Sequence, residues 1–153
     1  MTYRKLRSSN FPRAWLLGLA GLLVATPLAA ATCGLNTQGA NFGSYDFQSS
    51  QNLDGVGHIT VICDTETTYT IALSPGLTGT FTSRIMQSGS HQLHYNLYVD
   101  LAHSGVWGDG TGNSMVVSGS GTNVSYSIYG SIPAGQNPYV GSYSDVVTVT
   151  LSF

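Results

Sequence analysis

Val146-Val147-Thr148-Val149-Thr150-Leu151-Ser152-Phe153 closes the sequence. Val147, Val149, Leu151 and Phe153 alternate with Thr148, Thr150 and Ser152. That period of two sends successive side chains to opposite faces of an extended strand. The same period recurs upstream in Ile59-Val61-Cys63, in Tyr69-Ile71-Leu73 and in Val124-Tyr126-Ile128. It also runs through Leu93-Tyr95-Leu97-Val99, with His94, Asn96, Tyr98 and Asp100 opposite. Phe81–Met86 and Ser114–Val117 are weaker strand candidates. No window carries apolar residues at the helical period. Turn residues separate the runs at Asp54-Gly55, Ser74-Pro75-Gly76, Gly108-Asp109-Gly110, Ser118 to Gly121 and Pro133-Ala134-Gly135. Strands with one apolar face must pack on another layer, so the expected fold is all-β, an immunoglobulin-like antiparallel β-sandwich. No tandem repeat is evident.

The terminal strand is unusual for a self-complete sandwich. It is the most regular run in the chain, reaches Phe153, and carries neither Lys nor Pro. A long apolar edge is an aggregation hazard that proteins cover or charge. Either an earlier strand covers this one or a partner chain does.

The chain has 153 residues, the size of one domain, and only 8% charged residues. Arg4, Lys5, Arg7 and Arg13 fall in the first thirteen positions, Arg84 is the one base beyond them, and all seven acids lie after position 45. A body with one arginine and no lysine has little with which to neutralise phosphates, which argues strongly against nucleic-acid binding and equally against electrostatic docking on anionic lipid. The basic start leads into an apolar stretch from Ala14 to Ala25, then Pro27 and Ala29-Ala30-Ala31. This is the pattern of a secretory signal peptide over 1–31, cut before Thr32. About a dozen apolar residues fall short of the ~20 that span a bilayer. The expectation is an exported domain over 32–153 without membrane insertion. Cys33 and Cys63, an even count in an exported chain, read as one disulfide pinning the first strand to Ile59–Cys63.

Catalytic and metal chemistry find little support. His91-x-x-His94 would point to opposite faces on a strand, and His58, His103, Asp100 and Asp109 add no ligand spacing. No G-x-S-x-G elbow is present, and Asp100 and Asp109 make a weak carboxylate pair for glycoside chemistry. The expectation is no enzyme, no cofactor and no metal. Trp107, in a loop with Gly105, Gly108, Gly110 and Gly112, either packs over a sandwich end or serves with Tyr139 as an adhesive aromatic.

Taken in order, several stretches resemble one family. They are Asn41-Phe42-Gly43-Ser44-Tyr45-Asp46, Arg84-Ile85-Met86, Leu93 to Asp100, Val106-Trp107-Gly108-Asp109-Gly110, Ile128 to Gln136, Gly141 to Asp145 and the terminal strand. Together with Cys33 and Cys63 they resemble the spore coat U (SCPU) domain family, which includes subunits of archaic chaperone–usher pili, over essentially the whole body. The resemblance implies an immunoglobulin-like pilin domain missing its last strand. A periplasmic chaperone lends a strand to the open groove, an outer-membrane usher exports the subunit, and a donor-strand-bearing subunit later fills the groove. Val147, Val149, Leu151 and Phe153 would line the groove and meet the chaperone. The implied location is the periplasm in transit, then the cell surface. The chain departs from shaft pilins in one respect: cleavage after Ala31 leaves only Thr32 ahead of Cys33, too short for a donor strand. The expected role is a strand acceptor at a tip or cap. A tip adhesin using apolar loops, or a spore or cell coat protein, is the alternative.

Overall fold

A computed structural model of the chain describes residues 30–153. The expected leader lies, but for Ala30 and Ala31, outside them. Six strands follow in order: β1 (Cys33–Asn41), β2 (Leu53–Leu73), β3 (Arg84–Ser88), β4 (His91–Tyr98), β5 (Val117–Ile132) and β6 (Val149–Ser152). A short 3-10 turn at Gly76–Thr78 is the sole helical element among the described residues. All strand pairings are antiparallel, in the order β1-β2-β5-β4-β3, with β6 on β2. The expected all-β, immunoglobulin-like sandwich is the fold.

The two apolar runs Ile59–Cys63 and Tyr69–Leu73 belong to one 21-residue strand. The intervening Thr-rich residues 64–68 continue it, as β-branched side chains favour. β2 keeps its odd-numbered residues inward on either side of the exposed stretch 64–66, with Ile59, Val61, Tyr69, Ile71 and Leu73 at 0–2% exposure. β5 does not keep its phase. Its ladder with β2 runs from Leu53↔Ile132 to Ile62↔Asn123 and resumes at Thr67↔Gly121. This bulge changes which parity of β5 faces the core: Val124, Tyr126 and Ile128 on one side, Val117 and Gly119 on the other. Ser118–Gly121, expected as a turn, is therefore strand, and the φ of +135° at Gly121 marks the bulge.

Asp54-Gly55, also expected as a turn, opens β2 instead. Gly55 pairs with Gly130, and the Phe42 ring lies over both. A Cβ would stand 2.9 Å from that ring at Gly55 and 2.6 Å at Gly130. Glycine here permits close approach rather than a reversal.

β1 pairs with the first half of β2, Cys33 opposite Cys63, and the two sulfurs are bonded. β6 pairs with the second half, Thr70↔Ser152 to Leu73↔Val149. Between β5 and β6 the chain runs along β3, where Gln87 and Ser144 exchange backbone hydrogen bonds of 2.9 and 3.1 Å. The sandwich thus closes from β2 through β5, β4 and β3 back to β6. Beside β1 it does not close.

Candidate functional site: a groove between β1 and the C-terminal segment

The gap beside β1 is a groove of about 1170 Å³. One wall is Thr37–Tyr45 with Phe47, and the other is Pro138–Val147 with Val149. Its floor is the apolar core itself: Leu73, Met86, Leu93, Tyr95, Leu97, Ile128 and Ile132. Among the described residues, β1 and β6 each pair with β2 alone. Each therefore keeps one strand edge without a ladder partner, and unpaired backbone groups of this kind are a template for a further strand.

Each wall is held by one polar side chain. Tyr45 fixes the first: its hydroxyl donates to the Pro133 carbonyl at 3.0 Å and accepts from the Gln136 N–H at 2.9 Å. Gln136 in turn docks on β4, accepting from the His94 N–H and donating to the His94 carbonyl, both at 2.8 Å. Asp145 fixes the second wall. Its carboxylate accepts from the Tyr95 hydroxyl at 2.7 Å, the Leu77 N–H at 3.1 Å and the Val146 N–H at 2.7 Å. Burial, with the bond to Asp145 in support, pushes the Tyr95 phenol well above its usual pKa.

Below the floor lies Arg84, which is 0% exposed. Its guanidinium donates to the Ser74 carbonyl at 2.9 and 3.3 Å, to Asn96 Oδ1 at 2.7 Å and to the Trp107 carbonyl at 2.7 Å. Burial lowers its pKa from the usual value, against the pull of Tyr95 and Asp145. This network joins β3, β4 and the loops at 74 and 107 beneath the groove.

The residues singled out in the sequence separate here. Val147 and Val149 line the groove. Leu151 packs on the core opposite Ile71. Phe153 is 59% exposed and lies outside the groove lining, because the pairing of β6 ends at Ser152. Trp107 is not an adhesive aromatic: it is 1% exposed and its indole N–H donates to the Ile71 carbonyl at 3.1 Å. Tyr139 is 68% exposed on the groove rim, its ring stacked on His91 at 4.7 Å. His94 bonds Ser83 at 3.0 Å, away from His91, and His103 lies against Tyr98 at 4.7 Å.

Sequence reasoning overlooked Phe42, Tyr45, Arg84, Tyr95 and Asp145 as builders of the site. Arg84 alone left a clear signal, being the single base of the body.

Comparison with known proteins agrees with this architecture. The family described as Spore Coat Protein U domain matches residues 19–150. Protein U of Myxococcus xanthus is 33% identical over 126 residues, covering 74% of this chain and 70% of Protein U. Among solved structures, one chain of the CsuC–CsuE chaperone–tip adhesion subunit pre-assembly complex, from archaic chaperone–usher Csu pili of Acinetobacter baumannii, superposes with a TM-score of 0.59. It is 23% identical, and the match covers 81% of this chain and 40% of that one, so the likeness is one of fold. By its sequence match along most of its length, the chain belongs to the Spore Coat Protein U domain family.

Proposed function

We propose that the chain is a structural subunit of a chaperone–usher surface fibre, and that the groove accepts a β-strand from another protein. One observation carries this reading. The floor of the groove is the hydrophobic core, and the strands at its two sides, β1 in one wall and β6 at the end of the other, pair among the described residues with β2 alone. A strand placed there pairs its backbone with the walls and buries alternate side chains on the floor. A periplasmic chaperone supplies that strand first, and a donor-strand-bearing subunit replaces it at an outer-membrane usher.

Within the fibre we assign an acceptor role at the tip or cap. The support lies at Thr32, whose N–H donates to Asp64 Oδ1 at 3.0 Å and whose carbonyl accepts the Asp64 N–H at 3.1 Å. Thr32 already extends the β1–β2 ladder, so cleavage after Ala31 leaves no free arm to lend. N-terminal sequencing of the exported protein tests this assignment: cleavage well upstream of Ala29 would restore an arm.

Tyr139 and Val140, 68% and 95% exposed, give the adhesive alternative its one foothold. Both line the groove, where a bound partner reaches them before a distant surface does. The coat-protein alternative predicts a chain that is indifferent to added strands.

The deciding experiment is unfolding of the exported chain, disulfide intact, with and without a donor-strand peptide from a candidate partner subunit. An acceptor gains ~4 kcal/mol at a thousandfold excess over Kd. A stable chain that ignores every such peptide would overturn the reading.

A further inference from the structure

A cut before Thr32 leaves a body with two cationic groups besides its histidines. One is Arg84, 0% exposed beneath the groove. The other is the α-ammonium that the cut creates, because residues 32–153 hold no lysine and no second arginine. Seven acids share that body. The β1–β2 ladder brings one of them to the new terminus. The Thr32 nitrogen lies 3.0 Å from Asp64 Oδ1, and the Thr32 carbonyl accepts the Asp64 N–H at 3.1 Å. The next rung holds this geometry: Cys33 lies opposite Cys63 and is bonded to it. The ladder and the disulfide therefore place the carboxylate at that nitrogen before any charge attraction acts.

We propose that Asp64 is the binding site of the mature α-ammonium, an acceptor for one primary ammonium group that seats the terminus on its own subunit. The inference rests on the cut before Thr32 and deepens the acceptor role proposed above. Cleavage turns one amide N–H into three N–H donors that share a full charge. Oδ1 already takes the Thr32 N–H and, at 3.4 Å, the Thr65 hydroxyl, while Oδ2 takes no bond among the described residues and is open to a second ammonium proton. Hydrogen bonds between charged partners are shorter and roughly twice as strong as neutral ones. The bond from Thr32, with those from Thr65, holds the Asp64 carboxyl below its usual pKa. The surroundings bring one further charge, Glu66, exposed two residues on along β2. β1 has no charged side chain, nor have Thr122 and Asn123 on the β5 side or β6 farther along the edge of β2. The pair raises the α-amine above its unfolded value, about 7.7–8.0, so its contribution is present below that pH and is lost as pH rises through the folded value. Being exposed, the pair adds little stability. Its effect is one of place: a terminus seated in its own ladder is no loose end to lend to a neighbour.

The test measures the pKa of the α-amine in the exported protein. The lysine-free body makes it direct, since the α-amine is then the only aliphatic amine. N-terminal sequencing comes first: a chain that starts anywhere but Thr32 refutes the cut, and this inference with it. The protein is then treated with trace acetic anhydride at stepped pH, and acetylation is read by mass spectrometry on the N-terminal peptide. The wild type should show a pKa raised by roughly half a unit at low salt, and salt of about 1 M should shrink that rise. Asp64→Asn keeps an Oδ1 acceptor for the terminus and removes the charge, so it should return the amine to its usual range. Glu66→Gln should keep the raised value. A residue that only closes the ladder would leave the amine of Asp64→Asn as it is in the wild type. That result, an ordinary value in the wild type, or a rise lost in Glu66→Gln overturns the proposal and leaves the acceptor groove untouched. A readout without any variant is the Asp64 carboxyl carbon resonance, which should move where the amine titrates; a resonance flat across that range overturns the proposal equally.

Discussion

The guanidinium of Arg84 donates a 2.7 Å hydrogen bond to the carbonyl of Trp107, and the two residues are 0% and 1% exposed. A buried cation is tolerable only when its donors are met, and here carbonyl and amide oxygens meet them without a carboxylate in direct contact. Arg84→Met would leave the acceptors on Ser74, Asn96 and Trp107 without a donor inside the core. The expected loss is about 3–5 kcal/mol, read as a lower urea midpoint at unchanged slope. Arg84→Lys should recover little, because one ammonium cannot reproduce the planar fork.

The same burial makes a protease assay informative. Arg84 is the one Lys or Arg after position 13, so it offers trypsin the single site within residues 30–153. At 0% exposure the Arg84–Ile85 bond is out of reach until β3 opens. Cleavage should therefore be slow in the folded chain and should follow the population of the opened state. An added donor-strand peptide should slow it further. Rapid cleavage of a chain whose circular dichroism is native would contradict the burial of Arg84.

Trp107 and Tyr139 should respond in opposite ways. Trp107→Ala empties a core site and removes the donor to the Ile71 carbonyl, so about 3–5 kcal/mol should be lost. Tyr139→Ala removes a rim residue whose ring only stacks on His91, so stability should change by less than about 1 kcal/mol. If Tyr139→Ala folds normally but loses fibre incorporation, the rim contacts a partner subunit. If it incorporates normally and loses surface attachment, the adhesive alternative gains.

Much of this architecture was legible in period-two alternation, because a strand with one buried face writes its geometry directly into the sequence. Ile59, Val61, Tyr69, Ile71, Leu93, Tyr95 and Leu97 were placed inward by that rule and are buried. What the rule could not carry was continuity. Asp54-Gly55 and Ser118–Gly121 carry turn residues, yet their glycines serve the approach of Phe42 and a bulge that changes the inward parity of β5. Such contacts lie far apart in sequence and leave no local period. The groove was half legible: Val147 and Val149 stood out, while Asp145 acts through hydrogen bonds to residues 50 and 68 positions away and Tyr45 through hydrogen bonds to residues 88 and 91 positions away. Trp107 was ambiguous because a glycine-rich loop can present an aromatic or fold it inward, and only the donor–acceptor pairing with Ile71 decides.

Alkaline stability should report the tyrosines. Burial pushes the Tyr69 phenol up to about 12, with its 3.1 Å hydrogen bond to Tyr126 adding to the effect. Unfolded, it titrates near 10. Between about pH 10 and 12 the unfolded chain gives up this proton and the native chain keeps it, so stability falls as pH rises. Below pH 10 Tyr69 contributes no pH dependence. Tyr95 shifts in the same direction. Tyr69→Phe should flatten the first part of the alkaline decline, followed by urea midpoints at stepped pH. A wild-type profile retained by Tyr69→Phe would assign the decline elsewhere.

The disulfide should matter twice, once for the fold and once for the groove. Cys33 and Cys63 close a sequence separation of 30 and sit opposite each other at the start of the β1–β2 ladder. Replacing both with Ala should cost ~3–4 kcal/mol in the chain-entropy account. The loss should not be spread evenly. Among the described residues β1 has a partner on one side alone, its ladder slips between Gln38 and Asn41, and its far end forms a groove wall. Without the covalent pin, β1 should open before the β2–β5 ladder does, as an edge element of low local stability. Amide hydrogen exchange should then rise most from Leu35 to Asn41 and least at Ile128 to Ile132. Donor-peptide affinity should fall together with β1 protection, since the wall must be re-ordered on binding and that ordering opposes association. A uniform rise in exchange with unchanged peptide affinity would mean that β1 is held by its ladder and that the disulfide acts on the unfolded chain alone.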